Sequence, residues 1–143
     1  MNKVVLITGG ARGIGSAIAL ELAKHGYDIV INYLTSKQPA KELKEKIESQ
    51  YHVRCLTICA DVSDVDQVNI MVSEIEEKMG GVDILINNAA VDLSNLFHLK
   101  NAEEFKRTFD VNVVGAFNCS KRVYKHMLDQ EYGLSLIHIS EPT

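Results

Sequence analysis

The stretch that decides the fold is Val4-Val5-Leu6-Ile7-Thr8-Gly9-Gly10-Ala11-Arg12-Gly13-Ile14-Gly15. An apolar run typical of a buried strand leads into a glycine-rich turn, and apolar residues then follow at helical spacing through Leu22. A glycine pattern is specific only in this strand–turn–helix context. The N–H groups of the turn and of the first helical turn carry partial positive charge, so they can hold the pyrophosphate of a dinucleotide.

The rest of the chain repeats this alternation. The predicted strands are 3–8, 28–33, 53–59 and 82–87, and the predicted helices are 13–25, one from Ser36, one from Ser63 and 101–128. Near-continuous apolar strands that alternate with helices indicate a parallel sheet covered on both faces. Right-handed crossovers then predict an α/β, doubly wound (Rossmann) fold, truncated after about the fourth or fifth strand. Two pairs with capping-box spacing are Ser63 with Asp66 and Asn101 with Glu104.

Composition excludes several classes of function. The 143 residues are 46% hydrophobic, which suits one domain, and the net charge of −4 disfavours binding to nucleic acid or to an anionic membrane. No apolar run approaches the roughly 20 residues of a membrane span. Cys55, Cys59 and Cys119 form no CxxC pair and are predicted to be buried thiols of a cytoplasmic protein. The five histidines have no ligand spacing, so we expect no metal.

Four sequence blocks, taken together, resemble the classical short-chain dehydrogenase/reductase family, and within it the 3-oxoacyl-acyl-carrier-protein reductase type. The first is the glycine turn, with the spacing Gly-x3-Gly-x-Gly after a threonine. The others, in the family's order, are Asp61-Val62, Asn87-Asn88-Ala89-Ala90 and Asn112 within 109–115. The resemblance covers residues 3–133. It implies a reductase or dehydrogenase that moves hydride between a nicotinamide cofactor and a small-molecule or acyl-thioester substrate.

The resemblance also implies roles for single residues. Asp61 would accept from the adenine amino group, with Val62 beside the ring, although Asp61 could instead only cap the next turn. Asn87, Asn88 and Ala89 would line the floor under the adenosine ribose and tie neighbouring strands together. Ala90 stands where the family usually has Gly, and a positive φ there would cost about 1 kcal/mol. Asn112 would break its helix locally and hold a water in a proton relay; the alternative is an ordinary Asn on a helix face.

The predicted site therefore has one catalytic residue, Asn112, and no metal ligand. The predicted cofactor-binding residues are Gly9, Ala11, Arg12, Gly13, Ile14, Gly15, Tyr33, Asp61, Val62, Asn88, Ala89 and Ala90.

The end of the second predicted strand favours NADP over NAD. A carboxylate about 20 positions past the glycine loop would bind the 2′-hydroxyl of NAD. Tyr33 occupies that position, so a 2′-phosphate is not repelled. Arg12 resembles the cation that pairs with this phosphate in NADPH-preferring members, and Lys37 is a second candidate. The alternative is that both cations are solvated surface charges.

The chain carries no Tyr-x3-Lys pair after Asn112, where the family has its proton donor and lysine, so the 143-residue chain is predicted to be inactive. Tyr33-x3-Lys37 has this spacing but follows the second strand. Residues 134–143 resemble a translated sequencing adapter, which predicts that native sequence ends at Gly133. The alternative is a genuine fifth strand. Ser140 falls near the position of the family's catalytic serine, and we do not count it.

Two other functions stay open: a non-catalytic nucleotide-binding or sensor module, and an interaction fragment whose long helix dimerises. In the family, the fourth and fifth helices usually form a homotetramer. The residues that could face either a partner or the core are Phe117, Val123, Tyr124 and Met127.

Overall fold

The protein is described by a computed structural model for residues 2–91 and 96–137. The strands are β1 (Val4–Ile7), β2 (Asp28–Tyr33), β3 (Cys55–Cys59), β4 (Ile84–Asn87) and β5 (Leu134–Ile137). The α-helices are α1 (Gly13–Lys24), α2 (Lys37–Tyr51), α3 (Val65–Met79), α4 (Ala102–Phe109) and α5 (Gly115–Asp129). A 3₁₀ turn spans Phe97–Leu99, and a π-helical turn, Asp110–Val114, separates α4 from α5.

The five strands form one parallel sheet in the order β3-β2-β1-β4-β5. This arrangement confirms the predicted doubly wound α/β fold. The chain winds outward from β1 in one direction to β3 and in the other to β5. The reversal between β1 and β4 opens a crevice at their carboxyl ends, which is where open α/β sheets bind ligands.

The sheet has an apolar core on each face, because successive side chains of a strand point to opposite sides. Leu6 of β1 packs in one core with Met71 of α3 and Val123 of α5. Ile7 packs in the other core with Ala19 of α1 and Leu43 of α2. Helices therefore cover both faces, as the continuous apolar strands predicted.

Two strands begin two residues later than predicted. Val53 and Val82 are buried, yet the hydrogen-bonded ladders begin at Cys55 and Ile84. The apolar run extends beyond the ladder because a residue can pack into the core before its backbone pairs with a neighbouring strand. Hydrophobicity alone therefore does not mark where a strand starts.

The two capping predictions have different outcomes. Asn101 and Glu104 form a complete capping box at the start of α4. At α3 the N-cap is Asp64, whose side chain accepts from the N–H groups of Asp66 and Gln67. The prediction of Ser63 as the cap is therefore wrong by one residue, and Ser63 bonds to Asp61 instead.

The predicted long helix is interrupted by the π-helical turn, which contains Asn112. The sequence left four residues that could face either a partner or the core, and the structure distinguishes them. Val123 is buried and Met127 packs against the core, whereas Phe117 and Tyr124 are 62% and 63% exposed.

The cysteines are not all buried, so that prediction needs correction. Cys55 and Cys119 are buried, and burial is the main cause that raises the pKa of each thiol to about 12. Cys59, the last residue of the edge strand β3, is exposed, and its thiol donates to the carbonyl of Leu34. Among the described residues, no group of three His, Cys, Asp or Glu could hold a metal ion. Within the same residues, no helix is long and apolar enough to cross a membrane.

Strand β5 pairs with β4 in parallel register, but all four of its residues are exposed. Ser140 and the other residues of 138–143 lie outside the described part of the chain.

Candidate functional site

The glycine turn places backbone where side chains would collide. Gly9 has a φ of +61°, and a Cβ on it would lie 2.9 Å from the Cα of Ala89. A Cβ on Gly15 would lie 2.6 Å from Nδ2 of Asn88 and 2.8 Å from the carbonyl oxygen of Gly9. Glycine at these two positions lets the loop close against the end of β4. The result is a cradle of backbone at the start of α1.

Two side chains fix this loop to β4. The hydroxyl oxygen of Thr8 accepts from the N–H groups of Asn88 and Ala89, each at 3.0 Å. In return, Nδ2 of Asn88 donates to the carbonyls of Thr8 (3.1 Å) and Gly9 (3.0 Å). Asn88 therefore sets the position of the loop through the backbone.

Asn32, which the sequence analysis did not identify, fixes the loop from the other side. It is 2% exposed in the apolar strand β2, and its Oδ1 accepts from the N–H of Gly9 at 3.2 Å. Its Nδ2 donates to the carbonyl of Ala60 at 3.0 Å. A lone amide inside an otherwise apolar strand was the available signal, because a buried amide needs partners.

A cleft of about 370 Å³ opens beside the loop, at the carboxyl ends of the strands. Its size is within the usual range for small-molecule sites. Nine predicted cofactor residues line it, namely Gly9, Ala11, Arg12, Tyr33, Asp61, Val62, Asn88, Ala89 and Ala90. Gly13, Ile14 and Gly15 do not line the cleft but form the first turn of α1 behind it. Asn112 lines a smaller cavity next to the cleft, and Ala89 and Ala90 border both.

The wall formed by the end of β2 contains no carboxylate. It consists of Tyr33, Leu34, Thr35 and Ser36, and Arg12 lines the same cleft. Ser36 is the N-cap of α2, and in the described part of the chain its hydroxyl makes no capping bond. Arg12 is exposed and is in no ion pair with a described residue.

Ala90 causes no backbone strain. In the described ranges, the non-glycine residues with positive φ are His52 and Glu131. The penalty considered for alanine at this position therefore does not arise.

Asp61 is held by two neighbours. Its Oδ1 accepts from the N–H (3.0 Å) and the hydroxyl (2.7 Å) of Ser63, and its Oδ2 accepts from Arg107 of α4 at 3.1 Å. Burial raises the pKa of the carboxyl, but the hydrogen bonds from Ser63 and Arg107 outweigh burial and lower it. Asp61 thus organises the turn after β3 through its bonds to Ser63, as the alternative of a turn cap proposed. It also lines the cleft.

Asn112 joins the π-helical turn to the segment after β4. Its Oδ1 accepts from the N–H of Val91 at 2.8 Å, and its Nδ2 donates to the carbonyl of Val91 at 3.2 Å. The cavity that it lines, about 110 Å³, also has Asn87 in its wall. Oδ1 of Asn87 is buried without a hydrogen-bond partner among the described residues.

The fold and the glycine cradle together define a nucleotide-binding α/β protein. A family profile described as "short chain dehydrogenase" matches residues 3–140. The chain belongs to that family.

Named relatives are consistent with this assignment. The chain is 38% identical over 140 residues to the 3-oxoacyl-acyl-carrier-protein reductase FabG of Staphylococcus aureus, covering 98% of this chain and 56% of the relative. It is 33% identical over 140 residues to an acetoacetyl-CoA reductase of Paracoccus denitrificans, covering 98% and 55%. The chain thus spans little more than half the length of these relatives.

A solved structure has the same fold. It is an alcohol dehydrogenase from the archaeon Thermococcus sibiricus, complexed with 5-hydroxy-NADP. The TM-score is 0.88 at 28% identity, over 96% of this chain and 57% of that chain.

Proposed function

We propose that this chain supplies the cofactor-binding part of an NADPH-dependent oxidoreductase acting on a carbonyl or alcohol carbon. The observation that carries the proposal is the glycine cradle, which Thr8, Asn32 and Asn88 hold open beside the cleft. Two of the relatives are named as reductases of 3-oxoacyl thioesters. That class of compound is therefore the first candidate substrate.

The residues of the cleft fit a nicotinamide dinucleotide phosphate. Backbone N–H groups at the start of α1 would bind the pyrophosphate. The β2 wall offers the 2′-phosphate the hydroxyls of Thr35 and Ser36 instead of a carboxylate, and the guanidinium of Arg12 is in no ion pair with a described residue. When bound, the cofactor supplies the hydride. Asp61 would accept from the adenine amino group, and in a longer parent protein Asn112 would take the catalytic role predicted for it.

The cofactor preference is tested by fluorescence titration with NADPH and NADH. We expect NADPH to bind about tenfold more tightly, equivalent to one good charge-assisted contact. Arg12→Met should remove most of this preference by weakening NADPH alone. Lys41→Met, which changes an exposed cation on α2, is the matched control and should leave both affinities unchanged. Equal affinities in the unmodified chain would refute the preference for NADPH.

We also propose that the 143-residue chain binds cofactor without catalysing. In its Tyr-x3-Lys pair, Tyr33 lines the cleft at the end of β2 and Lys37 begins α2, and the 143 residues contain no such pair after Asn112. The test is to incubate the purified chain with NADPH and an acetoacetyl thioester. Steady oxidation of NADPH would contradict the proposal.

A non-catalytic nucleotide-binding module is the second candidate. The observation that favours it is the state of Asn112, whose two amide atoms both bond to Val91. Asn112 can therefore hold the backbone after β4 in place without taking part in a reaction. A longer sequence of the same gene that contains Ser and Tyr-x3-Lys after Asn112 would exclude this candidate.

For the parent protein we propose a homo-oligomer that uses the outer face of α4 and α5. The support is a set of exposed large apolar side chains on this segment, namely Phe105, Phe109, Val113, Phe117, Tyr124 and Leu128. Such a face is typical of protein interfaces. Sedimentation of the parent should give a tetramer, and Phe117→Asp should shift it toward smaller species.

A further inference from the structure

Helix α4 contacts the turn after β3 through polar side chains. No side chain of this helix is buried among the described residues. Arg107 extends from α4 toward the residues that follow β3, and the sequence analysis did not identify it. One guanidinium nitrogen donates to the hydroxyl of Ser63 at 2.8 Å, and another donates to Oδ2 of Asp61 at 3.1 Å. The two partners follow β3, so Arg107 connects α4 to the rim of the cleft.

The hydrogen bonds of Asp61 leave part of its carboxylate free. An ionised carboxylate has about four acceptor positions. Ser63 occupies two of them through Oδ1, and Arg107 occupies one through Oδ2. Each oxygen therefore has a fixed neighbour, and the carboxylate cannot rotate without breaking a contact. One acceptor position on Oδ2 remains for a ligand.

Arg107 and Asp61 also share the same environment. Both line the 370 Å³ cleft, and their side chains are 37% and 21% exposed. A guanidinium is always charged and presents several donors in a rigid plane. It therefore keeps the neighbouring carboxylate ionised and fixes its plane at the edge of the cleft.

We propose that Arg107 is a positioning residue for adenine recognition, which orients Asp61 so that the remaining acceptor position of Oδ2 meets the exocyclic amino group. This inference rests on the proposed function, because it needs a dinucleotide in the cleft. It assigns to α4 a part in nucleotide selectivity. The contact comes from a helix that precedes Asn112 and lies 46 residues beyond Asp61 in the chain.

The test compares NADPH with its hypoxanthine analogue, which carries a carbonyl oxygen where adenine carries the amino group. The unmodified chain should prefer NADPH by about tenfold, since the analogue has no donor for Asp61. Arg107→Met should reduce this preference to about twofold or less, chiefly by weakening NADPH. Arg107→Lys keeps the charge but not the planar pair of donors, so it should restore part of the preference.

Lys106→Met is the matched control. Lys106 is the exposed neighbour of Arg107 on the same helix and pairs with Asp110, the first residue of the π-helical turn. This variant should keep the full preference for adenine. Circular dichroism of each variant shows whether it is folded, and the affinity ratio is measured on folded protein. Because the ratio compares two ligands on one protein, a general loss of structure would lower both affinities and not the ratio.

The outcomes separate the two proposals. If the unmodified chain binds neither ligand, the proposed function fails, and the inference about Arg107 fails as well. If it binds NADPH with the expected preference and Arg107→Met keeps that preference, only the inference about Arg107 is overturned. A pH series adds a second readout: in Arg107→Met, NADPH binding should weaken at a higher pH than in the unmodified chain, because the carboxyl of Asp61 then protonates more readily.

Discussion

The two described segments, residues 2–91 and 96–137, differ in how many of their apolar side chains are buried. Nearly all buried apolar side chains of the described chain belong to the first segment; the second adds Val111, Cys119 and Val123. Most of the exposed large apolar side chains belong to the second segment. The contrast is sharpest between neighbouring strands, because β4 is entirely buried and β5 entirely exposed. The cradle of the candidate site therefore rests on most of the apolar core. Helix α4 buries no side chain among the described residues and reaches the end of β3 through Arg107, whereas the π-helical turn adds Val111 to the core.

The largest expected effect tests this contrast at the two strands. Leu85 of β4 is fully buried, and replacing it with alanine should lower the free energy of unfolding by about 2–5 kcal/mol. Leu136 of β5 is 47% exposed, and the same change there should cost no more than about 0.5 kcal/mol. Urea denaturation of both variants measures the difference. A cost at Leu136 equal to that at Leu85 would mean that β5 belongs to the core.

The next effect concerns the cradle itself. In Gly15→Ala the new Cβ would press against backbone atoms of Gly9 and Gly10 at 2.8 and 2.9 Å, so the loop must shift, at about 1–3 kcal/mol. We expect NADPH to bind at least about tenfold more weakly, since the shifted amides no longer face the pyrophosphate.

Gly26→Ala is the control for this variant. Gly26 has a φ of +89° with open space around it, so alanine there should cost about 1 kcal/mol in strain. It lies after α1, away from the cleft, and NADPH affinity should not change. Equal losses of affinity in the two variants would show that the effect at Gly15 is general destabilisation.

The cradle was predictable because its signal is local. A strand, a glycine turn and a helix lie within twenty residues, and each has a periodicity or a steric requirement of its own. The same holds for the capping box of Asn101 and Glu104, which spans one helical turn. Asp61 was found through a family resemblance, and the structure adds the contacts that hold its carboxylate.

The contacts of the second segment were not predictable in the same way. Arg107 looks like any charged residue of a helix, and only the packing of α4 beside the end of β3 brings it to Asp61. Asn32 gave a weak signal, an amide among apolar residues, whose meaning depends on where the loop of Gly9 lies. The exposed state of β5 also depends on tertiary structure, because its apolar residues alternate like those of a half-buried strand.

A smaller effect tests how the π-helical turn is held. Asn112→Ala removes both hydrogen bonds to Val91, which should cost about 1–2 kcal/mol and loosen the segment after β4. Hydrogen exchange of the Val91 amide should become faster. Asn118→Ala, which removes a bond to the carbonyl of Val62 from α5, is the control and should leave that amide protected. If Val91 exchanges equally in both variants, Asn112 does not anchor the segment.

The smallest expected effect concerns the pH dependence of the contact between Arg107 and Asp61, which joins the two segments at the edge of the cleft. Burial raises the pKa of Asp61, but the hydrogen bonds from Ser63 and Arg107 lower it below its ordinary value, which is about 3.9 in an unfolded chain. A carboxyl with a lowered pKa in the folded state stabilises the protein above the unfolded value, and this contribution is lost as pH falls through the folded value. The carbon NMR signal of the Asp61 carboxyl should therefore titrate at a lower pH in the unmodified chain than in Arg107→Met. An unchanged midpoint would mean that Ser63 alone holds the carboxylate, and that α4 touches the rim of the cleft without influencing it.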